Sequence, residues 1–137
     1  YESLFVPMAK WSMLLTGNYR CVEADGVRPI RDAVHSDIGA STQMYGWVDA
    51  LARQLGADSA DQVPFEKYAN AATGLLKPSS AARAIDSGAD RIERVDRLVQ
   101  MIGRGLGVQN QQLDEIVAIV DARLAANANF KKVANVG

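Results

Sequence analysis

The chain has 137 residues, of which 48% are hydrophobic and 23% charged, with a net charge of −1. This is the size and make-up of one globular domain with enough length to bury a core of its own. The balanced charge excludes the basic footprint of a nucleic-acid binder, the single cysteine excludes an internal disulfide or thiolate cluster, and the single histidine excludes a histidine-rich zinc site.

The first apolar run, Leu4–Leu15, is interrupted by Lys10 and is too short for the roughly 18 residues a membrane span needs. It has no basic leader and no small-residue cleavage site, so no signal peptide is expected. The chain starts on Tyr1 rather than methionine, as expected of one that is processed or cut from something longer. Pro7 opens a predicted helix through Leu15, on which Lys10, Leu14 and Asn18 share a face if the helix runs that far. Pro29–His35 is a second, short helical segment. A third runs Asp37–Leu55, with Met44, Trp47, Val48, Leu51 and Leu55 in one stripe and Gly56 suited to the C′ position. Ser59–Gln62 resembles a capping box for a helix over Phe65–Leu76, with Pro64 as the alternative first turn.

Pro78 restricts Lys77 to extended backbone, so Ser79 or Ser80 is expected to cap a helix over Ala81–Ser87. A helix over Asp90–Leu106 is predicted from Ile92, Val95, Leu98 or Val99, and Ile102. Asp90 with Arg94 and Glu93 with Arg97 would be its acid-to-base pairs at i,i+4. Asn110 then caps a helix over Gln111–Ala126, whose stripe is Leu113, Ile116, Val117, Val120 and Leu124. Asn127–Gly137 is weakly patterned and reads as a frayed tail. Alternating β patterns with hairpin turns are absent, so the expected fold class is all-α, a single helical bundle of about six helices, with residues 1–126 as the domain and 127–137 as the tail.

Few residues carry chemistry. Gly103-Arg104-Gly105-Leu106-Gly107 ends a helix rather than opening one, so it is not a dinucleotide fingerprint. His35 and Cys21 have no neighbour that would make them a base or a nucleophile, and both are expected to be structural. Pro78-Ser79-Ser80 is the best local signal, because a helix start with free N–H groups and two hydroxyls can hold a carboxylate as well as cap. The second is Lys10 with Asn18, which could polarise an oxo acid from one helix face.

Together the two signals resemble the C-terminal domain of the ketopantoate reductases (2-dehydropantoate 2-reductases), within the 6-phosphogluconate dehydrogenase C-terminal-domain-like class. Trp11-Ser12-Met13-Leu14-Leu15 is similar to that family's first block, and Leu51–Gly56 to its middle helix. Pro78–Gly88 with Arg91-Ile92-Glu93-Arg94 resembles its Ser-Ser segment and acidic turn. Gly105–Val108 followed by Leu113–Val117 resembles its last turn and helix. The likeness spans most of Phe5–Ala126. It implies the substrate side of an NADP-dependent reductase of 2-oxo acids in pantothenate biosynthesis. NADP would be held mainly by an N-terminal Rossmann domain outside this chain, so this chain alone would be inactive. It further implies a cytoplasmic protein, a homodimer surface, and no metal, membrane or nucleic acid. By resemblance Ser80, Asn18 and Glu93 would bind substrate and Lys10 would donate the proton.

The pattern departs from the family at the reacting end. With Trp11 as anchor, the lysine position is Met13 and the two asparagine positions are Gly17 and Cys21. A frame shifted by three places Lys10 and Asn18 eight apart, as in the family, and gives up the Trp anchor. The glutamate position is Ile92, or Glu93 with one inserted residue. A non-catalytic helical interaction or dimerisation domain that kept the fold and lost the lysine is therefore the alternative.

Overall fold

The computed structural model describes residues 6–136; Tyr1 and the Leu4–Phe5 start of the apolar run lie outside them. Seven helices and a separate 3₁₀ turn, Ser59–Asp61, are present among the described residues, and no strand beyond an isolated antiparallel bridge between Val22 and Val27. The all-α expectation is met. No described helix is long and apolar enough to cross a membrane.

The first element, α1 (residues 8–21), changes pitch along its length. A 3₁₀ turn Met8–Lys10 leads into α-helix Trp11–Met13, a π turn Leu14–Asn18 and a final 3₁₀ turn Tyr19–Cys21. It therefore runs past the predicted end at Leu15. It is also the central element, packing against α2 (Ile30–His35), α3 (Ile38–Gln54), α5 (Ser80–Asp86), α6 (Val95–Gly105) and α7 (Gln111–Val136). That is why Trp11, Ser12, Leu15, Thr16, Tyr19 and Cys21 are all buried: helices pack against α1 on most of its sides. The remaining helix, α4 (Phe65–Ala72), starts after Pro64, as the alternative reading had it, and stops short of Leu76.

Caps form where short-range chemistry puts them. The Asp37 carboxylate accepts from the Ala40 N–H at 3.0 Å, and Asn110 Oδ1 from the Leu113 N–H at 3.0 Å. The α7 stripe Leu113, Ile116, Val117, Val120 and Leu124 is buried in the main core with Met44, Val48, Ile85 and Val99. A smaller core of Val34, Tyr45, Tyr68, Ala69 and Ala72 joins α2, α3 and α4.

Two further boundaries differ from expectation. The segment 89–94 is not helical, and α6 begins at Val95. The pairs Asp90–Arg94 and Glu93–Arg97 do not form. Arg94 instead holds the fully buried Asp96 through two N–H···O bonds of 2.9 and 3.0 Å and reaches Asp121 on α7 at 2.6 Å. A bidentate pair sealed against a neighbouring helix outweighs exposed i,i+4 pairs. At the C-terminus α7 continues past Ala126 to Val136. Asn127 Nδ2 donates to the carbonyls of Ile85 and Ala89 at 2.9 and 2.7 Å, and Lys131 pairs with Asp90 at 3.2 Å, so the end of α5 and the residues just after it anchor the segment read as a frayed tail.

Candidate functional site

Two neighbouring residues of α1, Asn18 through its carbonyl and Tyr19 through its hydroxyl, organise a cleft. The Asn18 carbonyl accepts a hydrogen bond from Ser79 Oγ at 2.8 Å, and the same Oγ accepts the Ala82 N–H at 3.2 Å. Ser79 is thus the N-cap of α5, which settles the choice between the two serines. It also fastens the start of α5 to α1 at residue 18. One residue on, the Tyr19 hydroxyl donates to the Glu93 carbonyl and accepts the Val95 N–H at 2.9 Å. Tyr19 serves as the missing cap of α6, where Arg94 supplies no side-chain cap. Burial, the larger influence, pushes its phenol up to about 12 against the lowering effect of the Val95 bond, so it stays a neutral hydroxyl that can donate and accept at once.

These ties bring Asn18, Ser80 and Glu93 onto one cleft of about 380 Å³, with Leu14, Tyr19, Ala81 and Ile92 as its other walls. A second cleft of about 430 Å³ shares Asn18 and Ser80 and extends along Ile30, Leu75–Pro78 and Arg83. Asn18 is half-buried; Ser80 and Glu93 are exposed. None of the three side chains bonds to another described residue, so an amide, a hydroxyl and a carboxylate are left for a ligand, against apolar Leu14 and Ile92. Such a set can hold a small molecule bearing hydroxyl and oxo-acid groups.

Lys10 is placed elsewhere. It is exposed at the first turn of α1, lines neither cleft, and lies eight residues from Asn18, roughly 12 Å along a helix axis. The positions matching the family's lysine and asparagines are also spent on packing. Met13 is half-buried against the Val34–Tyr45–Tyr68 core, Gly17 lies under the Tyr68 hydroxyl, and Cys21 is fully buried with its thiol donating to the Gly17 carbonyl at 3.1 Å. Burial pushes that thiol up from its ordinary value, which keeps it inert. His35 is likewise structural, its Nε2 donating to the Ala69 carbonyl at 2.7 Å.

The glycine run does not fit a dinucleotide. Its residues close α6, and a Cβ at Gly103 would come within 3.0 Å of both the Trp47 ring and the Val108 carbonyl, so that glycine exists to let α6 approach α3. No pyrophosphate cradle opens a helix there. Tyr19 and Ser79 were missing from the substrate-side residues read in the sequence, because they act at separations of 76 and 61 residues, where no local spacing reports them.

Comparison with known protein families, with characterised proteins and with solved structures finds no match for this chain. What the fold defines is the class, an all-α helical domain.

Proposed function

We propose that the chain is the substrate-side domain of a ketopantoate reductase-like protein acting on a small 2-oxo or 2-hydroxy acid. The observation that supports this reading is the meeting of Asn18, Ser80 and Glu93, three unpaired polar side chains from separate segments, on one cleft. Ser80 and the Asn18 amide would hold the acid's oxygens, and Glu93 would accept a hydrogen bond from a hydroxyl. NADP would be held by the Rossmann domain that the resemblance implies, and Lys10 remains the candidate proton donor only if the substrate or a partner domain reaches it.

The test is NADPH oxidation by the full-length protein with ketopantoate and a panel of other 2-oxo acids. Ser80→Ala and Asn18→Ala should each raise KM at least tenfold, and Lys10→Ala should lower kcat. Absence of turnover with every acid sinks the reading. The second reading, a non-catalytic interaction or dimerisation domain, would then lead; it is favoured by the packing of Met13 at the lysine register and by Lys10 lying outside both clefts.

A further inference from the structure

A third cavity, of about 380 Å³, adjoins the first cleft at Tyr19, which lines both, and lies between the end of α1, the 22–28 turn, the start of α3 and the first half of α7. Arg20 and Arg28 both line it. Arg20 is held by two bonds from Nη1, to the buried Ser41 hydroxyl at 2.7 Å and to the Thr16 carbonyl at 3.3 Å. Arg28 is tied to it, since its Nε donates to the Arg20 carbonyl at 2.9 Å while Nη1 donates to Ser36 Oγ at 3.0 Å. Arg20 Nε and Nη2 and Arg28 Nη2 have no partner among the described residues.

The arrangement is unusual for this molecule. Arg31, Arg53, Arg94, Arg104 and Arg123 all make ion pairs. Of the described arginines that make none, Arg83, Arg91 and Arg97 are exposed, whereas Arg20 and Arg28 are half-buried. Counter-charges are nearby but held apart. Asp37 and Glu115 line the same cavity, yet Asp37 is engaged by the Ala40 N–H and Glu115 by Gln111 Nε2 at 3.4 Å. Two guanidiniums and two carboxylates thus share a cavity without touching. Burial first, and then the Arg28 charge, pull the Arg20 guanidinium down from its ordinary value, while Asp37 pulls it back up. Buried charge is stabilised by a partner, and here the space for the partner is open. Val22, Ile116 and Ile119 supply an apolar wall.

We propose that this cavity binds a small zwitterion, a free α-amino acid with an apolar side chain, its carboxylate on Arg20 and Arg28 and its ammonium on Asp37 and Glu115. Paired guanidinium donors suit a carboxylate's two oxygens, and the acidic wall discriminates against a simple anion. The proposal is independent of the 2-oxo acid reading, which concerns a different cleft.

Titration calorimetry on the full-length protein tests it, with glycine, L-alanine, L-leucine and L-phenylalanine as probes. Isovalerate and isopentylamine are the comparators that each lack one charge. At least one amino acid should bind saturably, and each comparator at least tenfold more weakly than leucine. Arg28→Gln should weaken the amino acid at least tenfold. Glu115→Gln should weaken the amino acid but not isovalerate, with unchanged thermal melts, and Arg97→Gln should change nothing. The proposal is overturned if no amino acid binds saturably, if isovalerate matches leucine, or if Arg28→Gln and Glu115→Gln both bind as the parent does.

Discussion

Tyr68 of α4 puts its hydroxyl where a side chain at Gly17 of α1 would begin, and donates it to the Met13 carbonyl at 3.2 Å. The contact lies within the π turn, where the helix ladder is widened. One pair of residues thus joins the central helix to the smaller core, and it uses the register at which the resembling family keeps an asparagine.

Gly17→Ala should therefore destabilise the protein even though alanine is the better helix former. Propensity favours the substitution by about 1 kcal/mol, but forcing Tyr68 aside costs about 1–3 kcal/mol, and the steric conflict here is severe. In a Tyr68→Phe background the nearest ring atom is Cζ at 3.1 Å, so the same substitution should cost markedly less. A double-mutant cycle of denaturant midpoints reads the difference; strictly additive effects would contradict the contact.

Tyr19→Phe should loosen the 89–94 segment as well as lower stability. It leaves the Val95 N–H and the Glu93 carbonyl without their partner, at a cost of about 1–3 kcal/mol. Hydrogen exchange at Val95 should rise more than exchange in α7. Asp96→Asn, which weakens the bidentate pair with Arg94, should cost about 2 kcal/mol, less than the loss of a fully buried pair because Arg94 keeps Asp121.

Alkaline pH should unfold the chain through its tyrosines. Burial raises Tyr19 and Tyr45 to about 12 and pushes Tyr68 up as well. In the unfolded chain these phenols release protons near about 10. Above that pH the unfolded state binds fewer protons than the folded one, so stability is complete below about 10 and falls as pH rises towards about 12. Phenolate absorbance and helical circular dichroism should change together. Phenolate formation by all three at their ordinary value, with helix retained, would contradict the burial.

Asn127→Ala should free the last turns of α7 without opening the core. It removes two hydrogen bonds, one to the Ile85 carbonyl in α5 and one to the Ala89 carbonyl just beyond it, a loss of about 1–2 kcal/mol. Exchange should accelerate from residue 127 onward while Val117 and Val120 stay protected. Uniform acceleration along α7 would show that the anchor serves the whole helix instead.

What could be read along the chain was what acts within a few residues. The α7 stripe, the cap at Asn110, the stop at Gly56 and the Pro-Ser-Ser start of α5 each depend on neighbours one to four positions away, and each is found in the fold. Ile92 and Val95 have helical spacing too, yet the helix waits for Val95, because Tyr19 and Asp121 engage the groups of 93–95 from distant positions while Asp96 holds Arg94 locally. Asn127 carries no sign of its partners on α5. The cleft has the same character. Asn18, Ser80 and Glu93 could be named from their resemblance to a pattern, but their meeting depends on Ser79 and Tyr19 bonding across more than sixty residues, and Lys10 stays apart for want of any such tie. Periodicity and capping are local free energies and are written in local order; convergence at a site is set by which buried donors find which acceptors once the helices have packed, and that is decided only in three dimensions.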